Sequence, residues 1–316
     1  MKIKNAVRRI ITALVAIAAA LGISSCNLSV FGGRGISTRY NNIITQRLAE
    51  GKTAVQFLNV GQADCSLICM PDGRNILIDA GNEEDGEHIV KYLKTLGLER
   101  IDYLIATHPH EDHIGGMDDV VAAFDIGTAV MPYIAESDLD GNEVYEKLLL
   151  ALKNSNERIL NATAGLKVIG EDDVQLICLA PYDSSRSDLN DYSATFMFSC
   201  NGVRVLFTGD AEEKCENEML SGEFSLKADI LSVGHHGSKH ASSKRFLEEV
   251  SPLCAVISCG KNNSYGHPHK EVLERLSDVN AAIYRTDRLG TVVFFIDKSG
   301  ELTEQDTKSI DLDGNR

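Results

Sequence analysis

At 316 residues the chain can hold one large domain or two ordinary ones, and 43% hydrophobic with 24% charged residues is the balance of a globular protein with a sizeable core. A net charge of −15 excludes a protein that coats nucleic acid through a broad basic surface.

The N-terminus differs in kind from the rest. Lys2, Lys4, Arg8 and Arg9 precede an uncharged apolar run over residues 10–23, a positive n-region and an h-region too short to span a bilayer comfortably. The run ends in "ISSC", and small residues before Cys26 resemble the lipobox of bacterial lipoproteins. That resemblance implies a signal peptide over 1–25, a lipid anchor at Cys26, and an extracytoplasmic protein held at the cell membrane. The alternatives are an ordinary cleaved signal peptide, giving a secreted protein, and an uncleaved anchor. Residues 1–25 hold four basic residues and no acid, so the remainder is near −19. Seven cysteines remain, an odd number without a C-x-x-C pair, which is not a disulfide framework. Cys178, Cys200, Cys254 and Cys259 lie in or beside apolar runs and read as small buried hydrophobes.

Residues 26–52 are mixed and Gly- and Asn-containing, the texture of a tether; a domain follows over 53–297, and 298–316 form a polar, acidic tail. "TAVQFLNV", "CSLICM" and "NILIDA" are short β-rich runs broken by Gly61 and by a turn signal at 71–73. Ile89, Val90, Leu93 and Leu96 give 87–97 helical spacing, stopped at Gly97. "DYLIAT" reads as a buried strand, and "GGMDDVVAAF" restarts a helix. Further on, "DDVQLICLA" is a strand, and "SATFMFSCNGVRVLFTGD" a hairpin with Asn201-Gly202 at its turn. Strands in "ADILSVG", "CAVISCG", "AAIYRT" and "TVVFFID" alternate with helices in "SSKRFLEEV" and "HKEVLERLS". Mixed pairing with intervening helices predicts α/β (α+β) layering.

"ATHPHEDHIGG" (106–116) places three of nine histidines within six positions. In an extended segment His108 and His110 project the same way and can grip one ion, while Asp112 and His113 point elsewhere and can hold another. Imidazole and carboxylate without Cys suit Zn²⁺, Mn²⁺ or Fe. The motif starts where a buried strand ends, and Gly115 and Gly116 allow a tight turn into a helix.

This H-x-H-x-D-H pattern resembles the signature of the metallo-β-lactamase superfamily, a resemblance that runs over residues 53–296. It implies an αββα sandwich of two mixed β-sheets flanked by helices, and two divalent ions, Zn or Mn. On that resemblance Asp210 in "VLFTGDAEE" matches the bridging aspartate. One histidine of "LSVGHHGSKHAS" matches the last ligand, His235 being favoured and His236 the alternative. The superfamily also implies a further histidine between these motifs, yet residues 114–234 contain none. The nearest polar cluster is "SDLNDYSAT", where Asn190 or Asp191 could supply an oxygen to metal or substrate. Asp64 and Asp79 sit at strand ends; Asp79 reads either as a hydrogen-bond partner of a ligand histidine or as a turn stabiliser.

The order of "FLNVGQADCSLI", "ILIDAG", "THPHEDHIGG", "FTGD", "HHGS" and "NNSYGHP" resembles the extracytoplasmic hydrolase domain of ComEC-type competence proteins, with Ala63 in place of a usual Gly. That implies an exported phosphodiesterase or nuclease acting on DNA through a metal-activated hydroxide. Asp112 and Asp210 would serve catalysis with His267, and Ser238, Lys239 and Asn263 would contact phosphate. The partners implied are a nucleic-acid substrate and the membrane; no protein partner can be inferred. Other readings are a small-molecule hydrolase of lactones, β-lactams or thioesters, and a non-catalytic lipid-anchored binding protein.

Overall fold

The computed structural model describes residues 43–304 apart from 140, 156, 183–185 and 187. The expected signal peptide, Cys26 and much of the tether fall outside the described residues, as does the end of the tail. Among the described residues no helix is long and apolar enough to cross a membrane.

The first half of the chain supplies β1 (Thr53–Phe57), β2 (Ser66–Cys69), β3 (Asn75–Ile78), β4 (Arg100–Ile105), β5 (Asp125–Met131), β6 (Ile159–Asn161) and β7 (Lys167–Gly170). The second half supplies β8 (Val174–Ala180), β9 (Thr195–Cys200), β10 (Val203–Phe207), β11 (Ile230–Ser232), β12 (Cys254–Ile257), β13 (Ala282–Arg285), β14 (Val292–Ile296) and β15 (Leu302–Glu304). They sort into two mixed sheets, ordered β15-β14-β1-β2-β3-β4-β5-β6 and β13-β12-β11-β10-β9-β8-β7.

Period-two alternation builds the layers. Val55 and Phe57 of β1, with Val203, Val205 and Phe207 of β10, join one core between the sheets, while Ala54 and Leu206 belong to the outer cores. Phe57 and Phe207 stack across the interface with ring centroids 5.7 Å apart; burying each such side chain contributes about 1.5–3 kcal/mol. Helices Gly86–Thr95, Met117–Ala123 and Glu143–Asn154 cover the first sheet, and Glu213–Ser221, Lys244–Val250 and Lys270–Asp278 the second. In the first of these, Ile89, Tyr92 and Leu93 are the buried stripe, at the spacing of one helical face. The result is the expected αββα sandwich.

The predicted hairpin forms between β9 and β10, with Asn201 at φ 49° and Gly202 at φ 85°, the doubly positive turn that favours Asn-Gly. Two boundaries move. Residues 43–49 are helical and Ile44 is fully buried in the first sheet's outer core, so the domain begins within the stretch read as tether. β15 pairs antiparallel with β14, so the tail read from 298 onward first adds an edge strand. All seven cysteines among the described residues are free and buried.

The parallel strands β3-β4-β5 and β10-β11-β12-β13 explain where function gathers. Their C-terminal ends carry Asp79, His108, Asp210, His235, His236 and the loop to His267, all delivered by the chain to strand ends rather than to strand faces.

Candidate metal centre

Asp79, just past β3, organises the first histidine loop. Its carboxylate accepts the Thr107 N–H at 2.9 Å and the Thr107 hydroxyl at 2.7 Å, and lies 2.8 Å from His113 Nδ1. Both readings of Asp79 therefore hold: it pins the turn and it orients His113. The short helix Glu111–Ile114 carries Asp112 and His113 to one side, while His110 immediately before it sets its Nδ1 3.0 Å from His108 Nε2.

Asp210 enters from the second sheet through Gly209, whose φ is 50°; a Cβ there would sit 2.9 Å from the Thr107 side chain, so only glycine lets the two loops approach. The Asp210 N–H donates to Ser193 Oγ at 3.1 Å, and the Ala194 N–H donates to the Thr107 carbonyl at 2.8 Å. This is the part that "SDLNDYSAT" plays. After β11, His235 and His236 both adopt left-handed backbone, φ 51° and 53°. That conformation costs non-glycine residues about 1–2 kcal/mol each.

The atoms present fit a metal ion. Because Asp79 takes the His113 Nδ1 proton in a hydrogen bond, Nε2 presents a lone pair. It faces Asp210 Oδ1 at 3.1 Å, and neither buried atom makes a hydrogen bond. With Nε2 unprotonated, two acceptors aim at one point and call for positive charge between them, which either the proton of an imidazolium or a metal ion supplies. His236 repeats the pattern: Nδ1 donates to the Ser258 carbonyl at 3.1 Å and Nε2 turns to Asp112 Oδ2 at 3.2 Å. Three groups have ligand atoms within 4.8 Å of one another: His108, His113 and Asp210; Asp112, His113 and His236; Asp64, Asp210 and His236.

The electrostatics agree. Burial opposes charge on His113, but Asp210 and Asp79 outweigh it and hold the imidazole well above its usual range. For His236 burial is likewise overcome by Asp210 and Asp112, which push it up to about 9. Burial also works against the Asp210 carboxylate, and His113 and His236 nevertheless hold it well below the carboxylate range. Such a cluster demands positive charge, and a divalent cation supplies it.

Residues 58–179 match the model of the metallo-beta-lactamase superfamily. The chain carries a metallo-β-lactamase superfamily domain. It is similar to ComE operon protein 3 of Bacillus subtilis, 30% identical over 259 residues that cover 76% of this chain and 32% of that protein. Recombination protein 2 of Haemophilus influenzae is 29% identical, covering 84% of this chain and 32% of the relative. Competence protein ComA of Neisseria gonorrhoeae is 29% identical, covering 81% and 34%. The chain thus spans about a third of the length of the curated relatives it matches.

The His/Asp cluster opens into a cleft of about 870 Å³, lined among others by Gln62, His110, Asp112, Asp210, His235, His236, Tyr265 and His267. That is the size range of ligand sites, about 300–1,000 Å³. His236, rather than the favoured His235, joins the compact groups with Asp112 and Asp210, because its ring is the buried one. His235 stands at the cleft edge with Nδ1 2.9 Å from Glu212 Oε1. His267 reaches the cleft; Gln62 Nε2 donates to its Nδ1 at 3.3 Å, and burial with the His236 and His235 rings pushes it down to about 4.

The expected phosphate contacts do not gather there. Ser238 is buried and its Oγ receives the His240 N–H, Lys239 is exposed away from the cleft lining, and Asn263 is spent bracing its own loop. The Asn263 amide donates to the carbonyls of Gly260 and His267, and its Oδ1 accepts the His267 N–H. Asp191 is paired with Lys214 at 2.7 Å, and neither it nor Asn190 lines the cleft. Asp64 is drawn in instead, its N–H donating to the Asp112 carbonyl at 3.0 Å, and burial raises its carboxyl. Gln62, Glu212 and Tyr265 went unnoticed in the sequence; all three lie inside motifs already quoted, but no spacing rule marks them out.

Proposed function

We propose that the protein is an extracytoplasmic, metal-dependent phosphodiesterase that cleaves DNA with two divalent ions, Zn²⁺ or Mn²⁺. The observation that carries this reading is the cleft itself, where the His/Asp cluster lies beside an exposed aromatic. Tyr265 is 67% exposed and stacks on His267 with ring centroids 5.6 Å apart. An exposed ring at the mouth of a phosphodiesterase cleft suits stacking on a nucleobase. The competence and recombination relatives support the same substrate class.

His108, His110, Asp112, His113 and His236 would hold the ions, with Asp210 between them. Bound there, the ions would acidify a water and polarise a phosphoryl oxygen. His267 receives its hydrogen bond at Nδ1, so its Nε2–H is free to donate toward a phosphoryl or leaving oxygen. Asp79 and the Ser258 carbonyl fix the tautomers of His113 and His236.

The cleft lining also includes Glu83, Glu84 and Glu111, which repel a polyanion and favour the second reading, hydrolysis of a small neutral ester, lactone or β-lactam. A substrate panel separates them. The metal-loaded protein is expected to cut labelled single- or double-stranded DNA, and to lose this with chelator or with Asp210→Asn. Inertness toward DNA and RNA together with opening of lactones or β-lactams would replace the first reading by the second.

A further inference from the structure

The superfamily pattern leaves the first ion short of one histidine, since residues 114–234 contain none. We infer that His235 is the missing ligand, so that the adjacent pair His235-His236 serves both ions at once. The inference rests on the two-ion reading above.

The two carboxylate oxygens of Asp210 divide the ring of donors. Oδ1 faces His113 Nε2 at 3.1 Å and His236 Nε2 at 3.7 Å, and His236 Nε2 in turn lies 3.2 Å from Asp112 Oδ2. This is the set expected for the second ion. Oδ2 faces His235 Nε2 at 3.5 Å and His108 Nε2 at 3.8 Å, and His108 Nε2 lies 3.0 Å from His110 Nδ1. His108 and His235 therefore both face Oδ2, with His110 against His108, and His235 stands just outside the groups whose ligand atoms lie within 4.8 Å of one another.

His235 is prepared for that role. Its Nδ1 faces Glu212 Oε1 at 2.9 Å, which places the proton on Nδ1 and the lone pair on Nε2, toward Asp210. Glu212 belongs to the same "FTGDAEE" loop as Asp210, so one loop fixes both the bridging oxygen and the ring beside it. The two left-handed residues in succession turn adjacent rings onto the same carboxylate, with centroids 6.1 Å apart and planes at 73°. Of the competing oxygen donors, Asp191 is committed to Lys214, and Asn190, whose Oδ1 is buried without a hydrogen-bond partner, lies outside the cleft lining.

The test counts ions and needs no substrate. Wild type, His235→Ala and Glu212→Gln are loaded with Mn²⁺, desalted, and read by elemental analysis and by electron paramagnetic resonance. Wild type is expected to hold two exchange-coupled ions. His235→Ala should hold one and show the spectrum of an uncoupled ion. Glu212→Gln, which keeps the imidazole, should keep both sites but weaken the first by about 10–100-fold in a chelator competition. Matching thermal melts of the chelated proteins check that the variants fold. Two coupled ions retained in His235→Ala, or unchanged affinity in Glu212→Gln, overturns the role of His235 while leaving the two-ion reading intact. A single ion in wild type overturns both.

Discussion

Asp79 is absent from the cleft lining, yet its contacts to Thr107 and His113 decide where the metal ligands stand. Asp79→Asn keeps the shape and exchanges an acceptor oxygen for a donor, so His113 loses its fixed tautomer. Metal affinity should fall about 10–100-fold, measured by competition with a chromophoric chelator. Tyr265 invites a different expectation, since it is exposed and its removal costs the core nothing. Tyr265→Ala should weaken single-stranded DNA binding by about 1–3 kcal/mol, with metal content unchanged; fluorescence anisotropy checks the first and elemental analysis the second. At this scale the sequence was most legible where residue type alone carries the chemistry, as in His108, His110, Asp112 and His113. It was least legible where backbone geometry decides. Whether His235 or His236 turns inward depends on two left-handed φ angles that no side-chain pattern announces. Asn263 and Ser238 are hard to read for a related reason: polar residues in a loop beside a site brace backbone, as both do here, as readily as they bind ligand.

Elements with strong periodicity could be placed from the sequence alone, and the strands feeding the site are of this kind. "TVVFFID", "VRVLF" and "CAVIS" are buried runs bounded by Gly, Pro or polar residues, and each appears as a strand. β6 and β7 offered no clear pattern, because they are short and half-exposed, so neither face is marked by hydrophobicity. The helix at 43–49 was missed because it is short; Ile44 is buried with Ile43 and Leu48 packed beside it, too few positions to mark a period. Ile44 nonetheless carries the element. Ile44→Ala should destabilise the domain by about 2–5 kcal/mol, read as a shift of the urea midpoint at constant slope, whereas trimming a true tether would cost nothing.

Across the whole molecule the charge balance sets how a polyanion can be held. The chain is at −15, and the cleft lining includes Glu83, Glu84 and Glu111 but not Lys239, the basic residue expected to contact phosphate. Proteins that grip phosphates with Lys and Arg release counterions, and their affinity falls steeply with salt. Here few such contacts are available, so DNA affinity should vary weakly with salt, a slope of log K against log salt nearer to about −1 or −2 than to the steep values of basic binders. Anisotropy titrations from low to physiological salt measure it, and a steep slope would mean that basic residues outside the cleft do the gripping.

The seven buried thiols carry a consequence of another sort. Burial raises every one of them, to about 12 for Cys69, Cys215, Cys254 and Cys259, so the thiolate that oxidants and disulfides attack is scarcely formed. Within the described residues the fold is therefore indifferent to the redox poise of its surroundings. It asks nothing of disulfide-forming machinery, and it has no bond there for a reductant to break.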